Sequence, residues 1–183
     1  MRSARRTCVP GSLADAAIAH PDPRRAIEDL RALLAYLCAP HAEGGCGWAR
    51  QHVHMFGYAQ GGSIALETAV ADRSSAPLGS ITSVCGPLVS HPTFSPALST
   101  PLCYVVRIPR ALRASAPHAR AELAAVHRAF AHVTEVHLAP SAASTGTDMV
   151  RGTEWKDVML FWARFWLKRV AARSIRFARS ALM

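Results

Sequence analysis

The sequence predicts an α/β protein: about four parallel strands with helices on both faces of the sheet. Three observations point that way. Segments with strand character alternate four times with segments of helical periodicity. The strand segments are short, apolar and bounded by Gly, Pro and Ser. Hydrophobic residues make up 50% of the 183, enough for one sizeable core in one domain.

The first helix is expected in "PDPRRAIEDLRALLAYLCAP", with Asp22 as N-cap and Pro23 at the first helical position. Ile27, Leu30, Leu33, Leu34 and Leu37 recur at helical spacing, and Pro40 ends the run. "HVHMFGY", residues 52–58, reads as a strand on which His52 and His54 share one face as packed residues. The helix "GGSIALETAVADR" follows at once. "LGSITSVCGPL" comes next, a strand burying Ile81, Val84 and Cys85, and then a Ser/Pro-rich loop with His91. "LCYVVRIP" is apolar throughout, as a strand covered on both faces would be. "HARAELAAVHRAFAH" places Leu123, Val126 and Phe130 on one helical stripe, and "VTEVHLAP" is a fourth strand carrying His137. A closing helix opens near Thr153, where Glu154 complements the helix dipole. Its apolar side is expected to hold Trp155, Val158, Met159, Trp162, Phe165 and Trp166. Right-handed crossovers would make the sheet doubly wound. Residues 1–22 read as a ragged N-terminus, 23–168 as the domain and 169–183 as a basic tail.

The composition narrows the function classes. The net charge is +9, yet the basic residues are scattered except in "KRVAARSIRFARSALM". No stretch interleaves them with aromatics as an RNA-binding sheet does, so nucleic acid is not expected as a partner. No window holds the ~18 uninterrupted apolar residues of a membrane span. Past Trp166, apolar Leu167, Val170, Ile175 and Phe177 alternate with Lys168, Arg169, Arg173, Arg176 and Arg179. Such a pattern suits a membrane surface, or else a solvated tail at the end of a core helix. The five cysteines, Cys8, Cys38, Cys46, Cys85 and Cys103, show no C-x-x-C spacing and read as free thiols of a reducing, cytoplasmic compartment. Cys38, His41 and Cys46 lack a fourth ligand, so neither metal nor cofactor is expected.

Chemistry is concentrated in "HVHMFGYAQGGSIALETAV", residues 52–70, which runs from an apolar strand through a glycine cluster into a helix. A nucleophile elbow has the form G-x-nucleophile-x-G, with small flanking residues because the strand-to-helix turn is so sharp. Gly57, Ala59 and Gly61 fit that spacing. A glycine-rich turn without chemistry is the plain alternative. A phosphate-binding loop is not supported, because no Lys follows Gly62.

"HVHMFGYAQGGSIALETA" is similar to the "GFSQGG" signature of the phospholipase/carboxylesterase branch of the α/β-hydrolases, which includes acyl-protein thioesterases. "LGSITSVCGPL", "TPLCYVVRIP", "VTEVHLAP" and "MVRGTEWKDVMLFWARF" resemble, in order, that family's later strands and closing helix, over roughly residues 24 to 168. The resemblance implies a partial α/β-hydrolase fold corresponding to the C-terminal part of the family's domain. It also implies where catalytic groups belong, and this sequence departs at each place. Ala59 stands where the family has its serine, residues 101–121 contain no Asp or Glu, and residues 139–153 contain no His. Asp148 lies in that last stretch, but a carboxylate cannot take and return a proton as imidazole does.

No catalytic residue is therefore assigned, with Ser63 in "GGSIA" the one substitute hydroxyl, a turn into the helix. Gly57, Tyr58, Gln60, Gly61 and Gly62 are the candidate binding residues, Gln60 through its backbone N–H. The expected function is a non-catalytic hydrolase-fold protein that keeps its scaffold for an acyl ligand or a protein partner. The alternative is a weakly active carboxylesterase or thioesterase with unrecognised catalytic groups. With the family's earlier strands absent, strand 52–58 would have an open edge, and either self-association through it or poor solubility is expected.

Overall fold

A computed structural model describes residues 23–72, 76–90, 92, 96–107, 117–139 and 149–164. Outside these lie residues 1–22, with Cys8 and Asp22, then His91, Asp148, and everything from Phe165 through the basic tail. One sheet holds four parallel strands in the order β1 (His54–Tyr58), β2 (Ser80–Val84), β3 (Leu102–Val106) and β4 (Val133–His137). Among the described residues four α-helices accompany it: α1 (Arg24–Cys38), α2 (Gln60–Asp72), α3 (Pro117–Ala129) and α4, described over residues 155–164.

The register sorts the side chains into rows. Met55, Ile81, Leu102 and Val133 are neighbours across the sheet on one face, beneath Leu34 of α1, Leu66 of α2 and Val126 of α3. On the other face Val84, Cys103, Val105 and Val136 pack under Val158 and Phe161 of α4. β3 is buried along its whole length, as its unbroken apolar run predicts. The strand order never reverses among the described residues, and the two crossover helices α2 and α3 share a face, as right-handed crossovers advancing one way require. The sheet is covered on both faces because α4 closes the second, so a doubly wound order is not what produces the two layers.

Several elements differ in detail from expectation. α1 starts one residue later, with Pro23 as its N-cap, and Leu33 faces solvent at 50% exposure while Leu34 is the buried residue. Its packed arc is Leu30, Leu34 and Cys38, a four-residue repeat that leaves Leu33 a third of a turn away. His52 lies in a 3-10 turn, Arg50–His52, so it does not share a strand face with His54. β2 stops at Val84, and Cys85 adopts φ 55°, which ends the strand. Met159 points outward. β1 and β4 are the edge strands among the described residues; β1 pairs with β2 alone, and Phe56 and Tyr58 on it are exposed. No helix among the described residues is long and apolar enough to cross a membrane.

Candidate functional site at the strand ends

The carboxyl ends of parallel strands form the crevice where α/β proteins bind ligands. β1 delivers Ala59 there with φ 49°, in the left-handed region that an L-residue seldom occupies. Its N–H donates to the Val84 carbonyl at 2.8 Å, and its own carbonyl accepts the Ser63 N–H at 3.1 Å. The chain thus passes from strand to helix within a single residue. This is the sharp turn of an elbow, predicted from the G-x-x-x-G spacing and carrying a methyl at its apex.

The glycines explain how the turn fits. Gly57 and Ser83 are lateral neighbours in the sheet, and the first turn of α2 lies directly over them. A Cβ on Gly57 would collide with the Gly61 carbonyl and sit 2.5 Å from the Gly62 nitrogen. A Cβ on Gly62 would come within 2.5 Å of the Ser83 hydroxyl oxygen. Gly61 has open space in place of a side chain. One further glycine belongs to the site. A Cβ on Gly86 would meet the Ala59 carbonyl oxygen at 2.5 Å and the Ser63 nitrogen at 2.6 Å. The turn after β2 therefore backs onto the elbow, and the buried Ser83 hydroxyl donates to the Gly86 carbonyl at 2.9 Å to hold it. The small residues of "VCGPL" were its only signal.

Tyr58 and Gln60 flank the apex and are exposed, as is Gly61; Gly57 and Gly62 are buried. By helix geometry the N–H groups of Gln60, Gly61 and Gly62 have no acceptor within α2. Ser63 is half-buried and one turn along α2, its N–H engaged in the first helical bond.

Two charged side chains described near these ends are engaged. Where β3 finishes, Arg107, 4% exposed, donates to both Glu154 carboxylate oxygens at 2.9 and 2.7 Å and to the carbonyls of Met149 at 2.6 Å and Ala139 at 3.3 Å. The guanidinium holds the Glu154 carboxyl below its ordinary range, assisted by the Arg151 N–H and opposed by partial burial. Glu67, on α2, is buried and accepts the N–H groups of Val89 and Ser90, both at 2.8 Å, tying down the segment after β2. Neither Arg107 nor Glu67 announced a buried role in the sequence, because their partners lie far along the chain.

Two histidines among the described residues, His54 and His137, stand away from the apex. His54 contacts the Ser80 hydroxyl at 2.8 Å, a serine–histidine pair, but at the opposite end of β1 and some five residues, roughly 16 Å, from Ala59. Ser80 is 1% exposed, so its hydroxyl is closed to a substrate. His137 ends β4, three strand spacings or about 14 Å from β1, and contacts Glu135 at 2.8 Å, which His127 also reaches.

No protein-family model matches the chain, and no solved structure matches it. Among curated proteins it is similar to one named uncharacterized hydrolase UM10204, from Mycosarcoma maydis, with 32% identity over 152 residues. The match covers 82% of this chain and 53% of that protein, so the chain spans about half the length of the relative it resembles.

Proposed function

We propose that this chain is a catalytically silent hydrolase scaffold of the phospholipase/carboxylesterase kind, keeping its strand-end crevice to bind an acyl group or a protein segment. The observation that carries the reading is Ala59 at φ 49°, an elbow apex held in strained geometry without a nucleophile. A methyl group can neither attack a carbonyl nor be activated by a base. Among the described residues at the neighbouring strand ends, Arg107 and Glu154 neutralise one another, and His137 lies on the far strand. The likeness to a protein named as a hydrolase supports the scaffold half of the proposal. The exposed start of α2 at Gln60 and Gly61 supports the binding half, since backbone N–H groups there lack an acceptor within the helix and would suit a carbonyl or carboxylate oxygen.

A fluorophosphonate probe tests the silence directly. The purified chain should remain unlabelled beside an active serine hydrolase that labels fully in the same reaction. Covalent labelling of any serine, Ser63 foremost, would overturn the reading in favour of a weakly active esterase or thioesterase.

A further inference from the structure

α4 turns an apolar face outward. Val158 and Phe161 are buried against the sheet, whereas Met159 and Leu160, next to them in sequence, are 54% and 50% exposed. A helix packed on one side ordinarily sends polar residues to the other. Trp155 and Trp162 flank Met159 on the same side of the helix; Trp155 stacks on Phe56 of edge strand β1 with ring centroids 5.9 Å apart, and Trp162 meets it edge-on at 6.1 Å. The Trp162 ring is anchored from below, its Nε1–H donating to the Thr82 hydroxyl at 2.9 Å. The outward surface is thus two flexible aliphatic side chains beside half-buried indoles.

Cations outnumber acids on and after this helix in the sequence. Lys156 and Arg164 are exposed on α4, where Asp157 is the single acid. The sequence after Arg164 holds Lys168, Arg169, Arg173, Arg176 and Arg179, and no Asp or Glu through Met183.

We infer that this face docks on an anionic lipid surface. Met159 and Leu160 enter the acyl boundary, the Trp155 and Trp162 rings sit at headgroup depth, and the cations on and beyond α4 draw the chain to acidic headgroups. Lipid fits better than the other polyanions or partners. Nucleic acid would reward cations and stacking at the contact itself, but the centre of this face is aliphatic. A second copy would have to bring one chain of net charge +9 against another. The inference uses neither Ala59 nor the strand-end crevice, so it stands or falls apart from the proposed function.

The full chain is mixed with vesicles of phosphatidylcholine alone, or of phosphatidylcholine with phosphatidylglycerol, and followed by sedimentation and tryptophan emission. Binding is expected only with phosphatidylglycerol present, weakening as salt rises, with a blue shift of the emission. The double variant Met159→Asp, Leu160→Asp should lower the partition coefficient roughly tenfold or more, because it removes the inserted side chains. Both positions are exposed, so its circular dichroism should match the unaltered chain. Absence of binding to anionic vesicles overturns the inference. So does equal binding by the double variant, the behaviour of a polycation that would serve nucleic acid as well. A dimer in solution that the double variant abolishes, without vesicle binding, assigns the face to a second copy instead. Should the double variant lose its fold, quenching of the unaltered chain by brominated lipid decides: unquenched tryptophans place the face outside the bilayer and refute the inference.

Discussion

The two glycines of the elbow signature are equivalent in the sequence and unequal in the structure. Gly57→Ala would drive a methyl into the Gly61 carbonyl and to 2.5 Å from the Gly62 nitrogen, both backbone atoms of the first turn of α2. Carbon and nitrogen normally approach no closer than about 3.4 Å, so strand and helix must part by nearly an ångström. Overpacking of this kind against atoms that cannot rotate away costs about 3 kcal/mol or more. Gly61→Ala meets nothing within 4 Å, and Gly61 is helical. Alanine there should be neutral or stabilising by up to about 0.5–1 kcal/mol, through its better helix propensity and smaller unfolded-state entropy. For a domain of this size 1 kcal/mol moves Tm by roughly 2–4 °C, so the variants should separate by about 8 °C or more. Thermal and urea melts followed by far-ultraviolet circular dichroism read the difference. Equal melting temperatures, or a larger loss for Gly61→Ala, would refute the placement of α2 over Gly57 and with it the elbow.

Glu154→Gln should destabilise the protein at neutral pH by roughly 2 kcal/mol, less than a fully buried pair would lose because the Glu154 side chain is 30% exposed. The folded carboxyl titrates below its unfolded value of about 4.3, so its contribution is full above that pH and disappears as pH falls through the folded value. The gap between variant and unaltered chain should therefore close under acid, and urea midpoints that keep a constant gap down to about pH 2 would contradict the Arg107–Glu154 pairing. Burial, with a smaller push from the Asp157 charge, raises the Cys103 thiol to about 12. In the folded protein at about pH 8 it should resist an aromatic disulfide reagent and react only on unfolding, as peptide mapping of the labelled thiols would report.

The parallel sheet was legible because each strand is a short apolar run between turn residues, and the elbow because sterics leave no freedom at Gly57. Where a strand ends was less legible. Cys85 belongs by composition to β2, and nothing in a cysteine announces the φ of 55° that turns the chain aside. Long-range polar pairs were hidden too: Arg107 sits in an apolar run and finds Glu154 forty-seven residues on, while Glu67 takes the Val89 N–H twenty-two residues on. Met159 was misplaced for a different reason. α4 is apolar most of the way round, so periodicity shows that it is helical without deciding which side the sheet covers.

Two adjacent left-handed residues at the ends of β1 and β2 bear on what the crevice is for. Holding an L-residue at φ 49° or 55° costs of order 1–2 kcal/mol each relative to the right-handed region. Glycine would take the same turn without that cost, and the segment already uses glycine at 57, 61, 62 and 86. A turn needed only to reverse direction would therefore carry glycine at its apex. Keeping a Cβ there makes sense where the apex must present a side chain to the crevice, which is the arrangement a nucleophile requires and an alanine imitates in shape alone. The strain at Ala59 thus weighs against a plain structural turn. The proposed binding scaffold accounts for both the retained Cβ and the missing hydroxyl, and the fluorophosphonate probe is its test.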